Sequence, residues 1–283
     1  MSAEDSPLIP LEGTEMAGGG GGYPLPVYLG GLAIACLIAF AVYSFIFSKT
    51  HGVAAAGPTF IIAGPSGAGK TALFTLLRYG EKSTTLPSIE QNISTSYRLP
   101  SLPDTAKPFV LIDTPGHQKL RQSMFDVLQV SQAARTIHGV LFVVDASAVS
   151  KPEKLREAAE YLYDVLRVTE KVRGGSDVLV AANKSELFTA VPAKRLRTLL
   201  EAEVQKIRET RTKAIGKVGL DGEKEEEEDG DSATVGGDGW LGLRDGKPFR
   251  FEDLESDVMV VGGSVETGKV DDWVGWMEER AVN

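Results

Sequence analysis

The sequence predicts an α/β domain, in which helices flank a mostly parallel β-sheet, behind a single transmembrane helix. Three observations lead to this fold class. Strand-like and helix-like segments alternate from Thr59 onwards, which is typical of parallel sheets. A glycine-rich loop at 64–71 separates the first strand from the first helix, and an uncharged apolar run occupies 25–47. Together these features predict one globular domain attached to a membrane.

The first fifty residues predict a polar tail and a membrane anchor. Residues 1–22 are rich in glycine, proline and acidic residues, a composition that predicts disorder. A helix as long as 25–47 reaches roughly 35 Å, enough to cross a ~30 Å hydrocarbon core. This run is long for a buried core helix or for a cleaved signal peptide. We therefore expect a transmembrane helix at 23–48 in a lipid bilayer, and a linker at 49–58.

Charge and cysteine content indicate a cytosolic globular domain at 59–283. No lysine or arginine precedes Lys49, and basic residues favour the cytoplasmic side, so the N-terminus is expected to be lumenal. The formal net charge of -9 argues against direct binding of nucleic acid. Cys36 is the only cysteine, so no internal disulfide can form, as expected in the reducing cytosol.

The loop Gly64-x-x-x-x-Gly69-Lys70-Thr71 matches the P-loop template, between the strand-like "FIIAG" and the helix-like "TALFTLLRYG". Backbone N–H groups of such a loop surround phosphate oxygens, and glycines permit the close approach. Lys70 is expected to neutralise the β- and γ-phosphates, and the Thr71 hydroxyl to bind Mg²⁺. The predicted phosphate-binding residues are Gly64, Ser66, Gly67, Ala68, Gly69, Lys70, Thr71 and Ala72.

The next motif, "DTPG", begins at Asp113 after the strand-like "FVLI" and is typical of γ-phosphate sensing. Asp113 would hold the Mg²⁺ water shell, and Gly116 would offer its backbone N–H to the γ-phosphate. A first switch loop belongs between the P-loop and Asp113, and such loops close on Mg²⁺ with a hydroxyl. Thr85 is the first candidate, while Thr84 and Ser88 stay open because spacing does not choose among them.

Guanine recognition is indicated by two motifs after later strand-like runs. Asn183 and Lys184 begin an Asn-Lys-x-Asp-like motif in which Glu186 replaces the aspartate. Its carboxylate would accept from the guanine N1–H and exocyclic amine, which adenine does not present. Ser264 and Val265 are positioned to offer backbone N–H groups to the guanine O6. No transporter-type LSGGQ segment or arginine-rich kinase lid is present, so the predicted ligand is GTP with Mg²⁺.

His117 leaves two modes of action open. It follows "DTPG" at the position where Ras-like proteins carry a water-positioning glutamine. A histidine there is a candidate catalytic residue that positions water for hydrolysis, or it points away and leaves hydrolysis slow. The chain is therefore either a cycling GTPase or a binding module that holds GTP while a partner docks.

In the C-terminal third, an acidic segment interrupts the alternation of strand-like and helix-like segments. The acidic segment 216–239 has almost no apolar residues and predicts a solvated, disordered insert. It follows a long helix-like segment at 192–215, and strand-like patterning resumes at "KPFRFEDL" and "DVMVVGGSV". The last helix carries two tryptophans and a methionine on one face, which predicts core packing: Trp273, Trp276 and Met277.

The segments "AGPSGAGKTALFTLLRYG", "TLPSIEQN", "IDTPGHQKLR" and "FVVDAS", after one membrane span, resemble the Arf-like GTPases of the signal recognition particle receptor beta subunit family. The resemblance covers the anchor and residues 59–281, while the acidic insert and Glu186 depart from it. It implies a P-loop GTPase in the endoplasmic reticulum membrane with a GTP-dependent alpha-subunit partner. The ribosome and the translocation channel are implied only as indirect partners.

An Arf-like cycling GTPase of membrane traffic is the alternative. The residue after Met1 is Ser2, whereas N-myristoylation requires glycine there, so this alternative is the less favoured one.

Overall fold

The computed structural model describes residues 31, 34–40, 57–103, 107–133, 135–171, 175–221 and 248–282. The chain divides into two compact units, 1–48 and 49–283. In the first unit, Gly31 and 34–40 are helical and exposed. None of the helices in the described ranges combines the length and the apolar character needed to cross a membrane. The tail, transmembrane helix and linker expected before residue 59 lie mostly outside those ranges, as does most of the acidic insert.

The second unit is built from six strands and five α-helices in the described residues. The strands are β1 (Thr59–Ala63), β2 (Asn92–Tyr97), β3 (Phe109–Asp113), β4 (Ile137–Asp145), β5 (Val178–Asn183) and β6 (Val258–Gly262). The helices are α1 (Lys70–Tyr79), α2 (Gln122–Ala133), α3 (Pro152–Thr169), α4 (Ala193–Asp221) and α5 (Asp271–Val282). Short 3₁₀ helices occupy Gln118–Leu120, Ala148–Ser150 and Phe251–Asp253.

The strands form one sheet in the order β2-β3-β1-β4-β5-β6. All neighbouring pairs are parallel except β2 and β3, which are antiparallel. Strands β1, β3 and β5 are buried along their whole length, as expected where helices cover both faces. The prediction of a mostly parallel sheet flanked by helices is confirmed. Its carboxyl edge brings together the loops after β1, β3, β5 and β6, where open α/β sheets bind ligands.

Two apolar layers hold the sheet between the helices. Helices α2, α3 and α4 pack on one face, and α1 and α5 pack on the other. Trp273, Trp276 and Met277 are all buried in the second layer, with the indole N–H of Trp273 donating to the carbonyl oxygen of Val261 at 3.1 Å. The predicted core role of this aromatic face is confirmed.

One strand and the end of one helix differ from the sequence-based expectation. The segment expected to be only a switch loop also contains β2, whose sequence "NISTSY" is polar and lacks a clear apolar alternation. Pairing with β3 stabilises this strand, which no local signal predicts. Helix α4 continues to Asp221, several residues into the segment 216–239 for which a loop is expected.

The segment "KPFRFEDL" was expected to be strand-like, and that prediction is wrong. It contains the 3₁₀ helix Phe251–Asp253. Phe249 and Phe251 are both buried and contact each other edge to face. Their backbone N–H groups donate to the side chains of Gln205 and Glu201 on α4 rather than to a neighbouring strand. The alternating aromatic residues therefore reflect packing against a helix.

Candidate functional site

The loop 64–69 joins β1 to α1 with backbone conformations that favour glycine. Gly64, Gly67 and Gly69 have φ angles of 137°, 78° and 97°. A Cβ on Gly64 would overlap the carbonyl oxygen of Val143 in β4, whereas a Cβ on Gly67 would meet no atom within 4 Å. Gly64 thus allows the loop to lie against the sheet, while Gly67 faces open space.

An open cleft of about 320 Å³ lies over this loop. It collects residues of the glycine-rich loop, of the predicted switch loop, of the segment after β3 and of the loop after β5. The lining residues are Ser66, Gly67, Gly69, Lys70, Thr71, Thr85, Leu86, Pro87, Ser88, Thr114, Gly116, His117 and Lys184. Four segments that are far apart in sequence therefore meet at one cleft.

Lys70 places a positive charge beneath the cleft. Its side chain is only 6% exposed, and its Nζ donates to the carbonyl oxygen of Pro65 at 2.8 Å. Burial lowers the pKa of Lys70 to about 8; the Asp113 carboxylate opposes this effect and the Arg121 guanidinium adds to it. A buried ammonium at the first residue of α1 is suited to an anionic ligand, which would replace the solvation that burial removes.

Gly116 lies in close contact with the P-loop. A Cβ at this position would overlap Nζ of Lys70 and crowd the carbonyl oxygen of Gly64. Thr114, two residues earlier, is fully buried, and its hydroxyl donates to the carbonyl oxygen of Ile62 at 2.8 Å. The "DTPG" segment is thus held against β1, with the backbone of Gly116 beside the ammonium.

A cluster of hydroxyl and carboxylate oxygens lies at the start of α1. Thr71 Oγ1 donates to Asp113 Oδ2 at 2.8 Å and lies 2.9 Å from Oγ of Ser88. Asp113 is fully buried, and its Oδ1 has no hydrogen-bond partner. Burial raises the pKa of Asp113, although hydrogen bonds from Asn92 and Thr71 oppose the shift. An unpartnered buried carboxylate oxygen beside two hydroxyls fits Mg²⁺, which prefers oxygen ligands and retained waters.

The three switch-loop candidates differ in position. Thr85 and Ser88 both line the cleft, whereas Thr84 is exposed. Of these three side chains, only that of Ser88 forms a hydrogen bond with the side chain of Thr71. The geometry therefore favours Ser88 over Thr85, the first candidate from the sequence.

Asn183, at the end of β5, links two other loops. Its Nδ2 donates to the carbonyl oxygen of Ala68 at 2.9 Å, and its Oδ1 accepts from the backbone N–H of Val265 at 3.0 Å. The backbone N–H of Ser264 donates to the carbonyl oxygen of Lys269 at 2.9 Å. Both N–H groups predicted for the guanine O6 thus bond within the protein here, so either would have to exchange partners to bind a base.

Lys184 and Glu186 follow Asn183, but only Lys184 lines the cleft. Lys184 has a φ angle of 65°, and its Nζ contacts Asp145 Oδ2 at 2.6 Å. Although burial raises the pKa of Asp145, hydrogen bonds from Lys184, Ser147 and a backbone N–H lower it overall. Glu186 is exposed in the following turn and does not line the cleft described above.

His117 is exposed at the rim of the cleft. Its Nδ1 accepts from the backbone N–H of Lys119 at 3.3 Å, so the ring caps the 3₁₀ helix that follows. This contact leaves Nε2 as the ring nitrogen that could reach a water molecule.

Sequence reasoning misses several residues around the site. Asn92 contacts Asp113, and Asp145 binds Lys184. Arg121 is 8% exposed, with its guanidinium 4.3 Å from the ring centroid of Tyr161 on α3. Asp145 could have been predicted as a site residue because it ends a strand at the carboxyl edge of the sheet. The contacts of Asn92 and Arg121 could not, because they join residues that are far apart in sequence.

Comparison with known proteins identifies relatives along most of the chain. A family model described as signal recognition particle receptor beta subunit matches residues 55–258. Signal recognition particle receptor subunit beta of Saccharomyces cerevisiae is 35% identical over 257 residues, covering 88% of this chain and 98% of that protein. The Mus musculus subunit beta is 29% identical over 255 residues, covering 88% and 84%.

Solved structures of similar proteins share the fold. The structure of the mammalian SRP receptor aligns with a TM-score of 0.62 at 26% identity, covering 78% of this chain and 99% of that chain. The Chaetomium thermophilum SRb-GTP/SRX complex aligns at 0.60 and 29% identity, covering 79% and 100%. SRb-GDP-Mg of the same organism aligns at 0.57 and 34% identity, covering 79% and 97%.

Proposed function

This chain belongs to the signal recognition particle receptor beta subunit family, and we propose that it is the GTP-binding subunit that holds the receptor's alpha subunit at the endoplasmic reticulum membrane for co-translational protein targeting. The observation that carries this function is the convergence of Lys70, Thr71, Asp113 and Gly116 beside one cleft. The relatives named above make an Arf-like regulator of membrane traffic the less favoured alternative.

Phosphate binding rests on three groups of the chain. Backbone N–H groups of 66–71 would surround the phosphate oxygens at the N-terminus of α1. Lys70 would contact the β- and γ-phosphates, and Gly116 would donate its backbone N–H to the γ-phosphate. Gly116 lies beside the Lys70 ammonium, so loss of the γ-phosphate would remove a contact of the segment after β3.

Magnesium fits the oxygen cluster at the start of α1. Thr71 and Ser88 would supply hydroxyl ligands, and Asp113 would accept hydrogen bonds from metal-bound water through its unpartnered Oδ1. The bound ion would neutralise part of the charge on the β- and γ-phosphates. Closure of Ser88 would order the loop from Thr85 to Ser88 when GTP is bound.

Guanine recognition would depend on the loop after β5. Through its two hydrogen bonds, Asn183 would fix the position of the P-loop relative to the loop that contains Val265. Lys184 is held by Asp145 at the side of the cleft, where its aliphatic chain could cover the base. Glu186 is proposed to accept two hydrogen bonds from guanine.

We expect Glu186 to select GTP over ATP by roughly 10- to 100-fold, because adenine lacks both donors and the carboxylate would lose two hydrogen bonds worth ~0.5–1.5 kcal/mol each. Changing Glu186→Ala should remove most of that preference, and Glu186→Asp should keep GTP affinity or improve it. Competition titrations with both nucleotides measure this preference. Glu255→Ala, an exposed glutamate at the opposite edge of the sheet, is the matched control. Equal affinity of the unaltered chain for GTP and ATP would contradict the assignment.

The alpha subunit is the proposed partner of the switch loop. The related Chaetomium thermophilum protein forms an SRb-GTP/SRX complex. In this chain, Leu86 and Ile89 of the switch loop are 84% and 79% exposed. GTP and Mg²⁺ would order these apolar side chains through Ser88, so a docking surface would form only in the GTP state. Contact with the ribosome and the translocation channel would be indirect, through the alpha subunit.

The proposed membrane attachment is a single span at 23–48. Support comes from the uncharged run in the sequence and from the family relationship. The lack of basic residues before Lys49 favours a lumenal N-terminus and a cytosolic GTPase domain at 59–283. A cytosolic domain would have direct access to the GTP pool.

Hydrolysis by the chain alone is expected to be slow. His117 replaces the glutamine that positions water in Ras-like proteins, and none of the described residues that line the cleft is an arginine. Arg121 instead contacts Glu157 at 3.3 Å and the ring of Tyr161. An arginine supplied by a partner is worth ~10³–10⁵ in rate for related enzymes, so its absence should leave a long-lived GTP complex.

We therefore expect the full chain in detergent to retain GTP through a single-turnover assay and to capture the alpha subunit with GTP but not with GDP. The same preparation serves both measurements, and Lys70→Met provides a binding-deficient control. Rapid unaided hydrolysis would favour a cycling enzyme. Equal capture of the alpha subunit with GDP and GTP would contradict the holding function.

A further inference from the structure

Asn92 begins the edge strand β2 beside the proposed metal site. In the antiparallel register of β2 and β3 it lies directly opposite Asp113. Its Nδ2 donates to Asp113 Oδ2 at 2.8 Å and lies 3.4 Å from Oγ of Ser88. One side-chain amide therefore contacts both the buried carboxylate and the switch-loop hydroxyl.

The two oxygens of Asp113 have different environments. Oδ2 accepts hydrogen bonds from both Asn92 and Thr71, each at 2.8 Å. Oδ1 is buried and has no hydrogen-bond partner. Rotation of the carboxylate would break both bonds to Oδ2, so these donors fix its orientation. Oδ1 is consequently left as the acceptor for the water shell of a cation.

The amide of Asn92 suits this task better than a charged side chain would. A neutral N–H donor orients the carboxylate without cancelling its negative charge, which remains available to a divalent cation. A lysine at the same position would neutralise the carboxylate. Outer-shell groups, which support a metal site without touching the metal, typically change metal affinity by 10–100-fold when they are removed.

We propose that Asn92 is a positioning residue for Mg²⁺, which orients Asp113 through Oδ2 and couples that orientation to the switch loop through Ser88. The inference rests on the proposed function, because it requires GTP and Mg²⁺ to bind in this cleft. In this arrangement Asn92 would contact Asp113 and Ser88 but neither the nucleotide nor the metal. Its removal should therefore weaken the contribution of Mg²⁺ to GTP binding and leave metal-free binding intact.

The test measures GTP affinity of the full chain in detergent, once with Mg²⁺ and once with EDTA. For Asn92→Ala, we expect affinity in Mg²⁺ to fall about tenfold and affinity in EDTA to change less than about twofold, as for loss of a metal-orienting group. Asn92→Leu keeps a similar side-chain volume without the amide and should behave in the same way. A Mg²⁺ titration at fixed GTP should shift to about tenfold higher concentration.

Gln91→Ala is the matched control, because the neighbouring amide donates to the carbonyl oxygen of Ser123 at 3.0 Å and does not contact Asp113. It should leave the ratio of affinities in Mg²⁺ and EDTA unchanged. An equal loss in both conditions for the two Asn92 variants would assign the amide a purely structural role and overturn the proposal, as would no loss at all. An unaltered chain that binds no GTP would instead contradict the proposed function, and this inference with it.

Discussion

Replacing Lys70 with methionine is expected to lower GTP affinity by roughly 10²- to 10⁴-fold, since charge-assisted hydrogen bonds to two phosphates contribute ~1.5–3 kcal/mol each. Methionine keeps most of the buried aliphatic volume but loses the ammonium. The side chain is only 6% exposed, so solvent cannot replace the lost charge. A direct titration with a fluorescent GTP analogue measures the change. Stability without nucleotide should not fall, because burial disfavours the ammonium there and lowers its pKa to about 8.

Lys119→Met is the matched control for this substitution. Lys119 is also close to the cleft, in the 3₁₀ helix after His117, but its side chain is exposed. Its removal should change GTP affinity by less than about threefold, because exposed charges interact weakly with a ligand in water. A Lys70 variant whose GTP affinity stayed within tenfold of the unaltered chain would contradict the phosphate-binding role.

The second large effect is expected for Gly64→Ala, which should destabilise the domain by about 3–5 kcal/mol, combining backbone strain with steric overlap. Gly64 has a φ angle of 137°, and an added Cβ would overlap the carbonyl oxygen of Val143 in β4. The carbonyl oxygen cannot move easily, because it belongs to the backbone of β4, a central strand of the sheet. Thermal or denaturant unfolding should show the loss, with poor yield of folded protein.

The variant Gly67→Ala separates the effect of backbone strain from that of steric overlap. Gly67 also has a positive φ angle, 78°, but an added Cβ would meet no atom within 4 Å. Only the left-handed backbone conformation is then penalised, which costs about 1–2 kcal/mol. Similar stability of the two variants would show that contact with β4 is not what requires glycine at position 64.

The local motifs could be predicted because each is contiguous in sequence. The P-loop needs glycines followed directly by Lys70 and Thr71, and the short apolar run before it predicts a buried strand. The alternation of such runs with helical segments predicts the parallel sheet that the structure has. The aromatic face of the last helix is equally local, since residues three and four apart share a helix face.

Prediction failed where pairing decides the structure. Strand β2 is polar and forms because β3 offers an edge to pair with. "KPFRFEDL" alternates like a strand, yet its phenylalanines pack beside α4, and the segment forms a 3₁₀ helix. In both cases a tertiary contact overrides the local pattern, as expected where local preference is weak.

The sequence alone therefore determined the fold class, the phosphate loop and the order of the motifs, because these depend on neighbouring residues. Only the tertiary structure decided which hydroxyl lies beside Thr71 and which amide holds Asp113. Ser88 and Asn92 are separated by 17 and 21 positions from the groups they contact, and Asn183 by 115 from Ala68. Such contacts depend on the distances between loops and on strand register, because a shift of one residue would turn the strand side chains of Asn92 and Asn183 to the opposite face of the sheet.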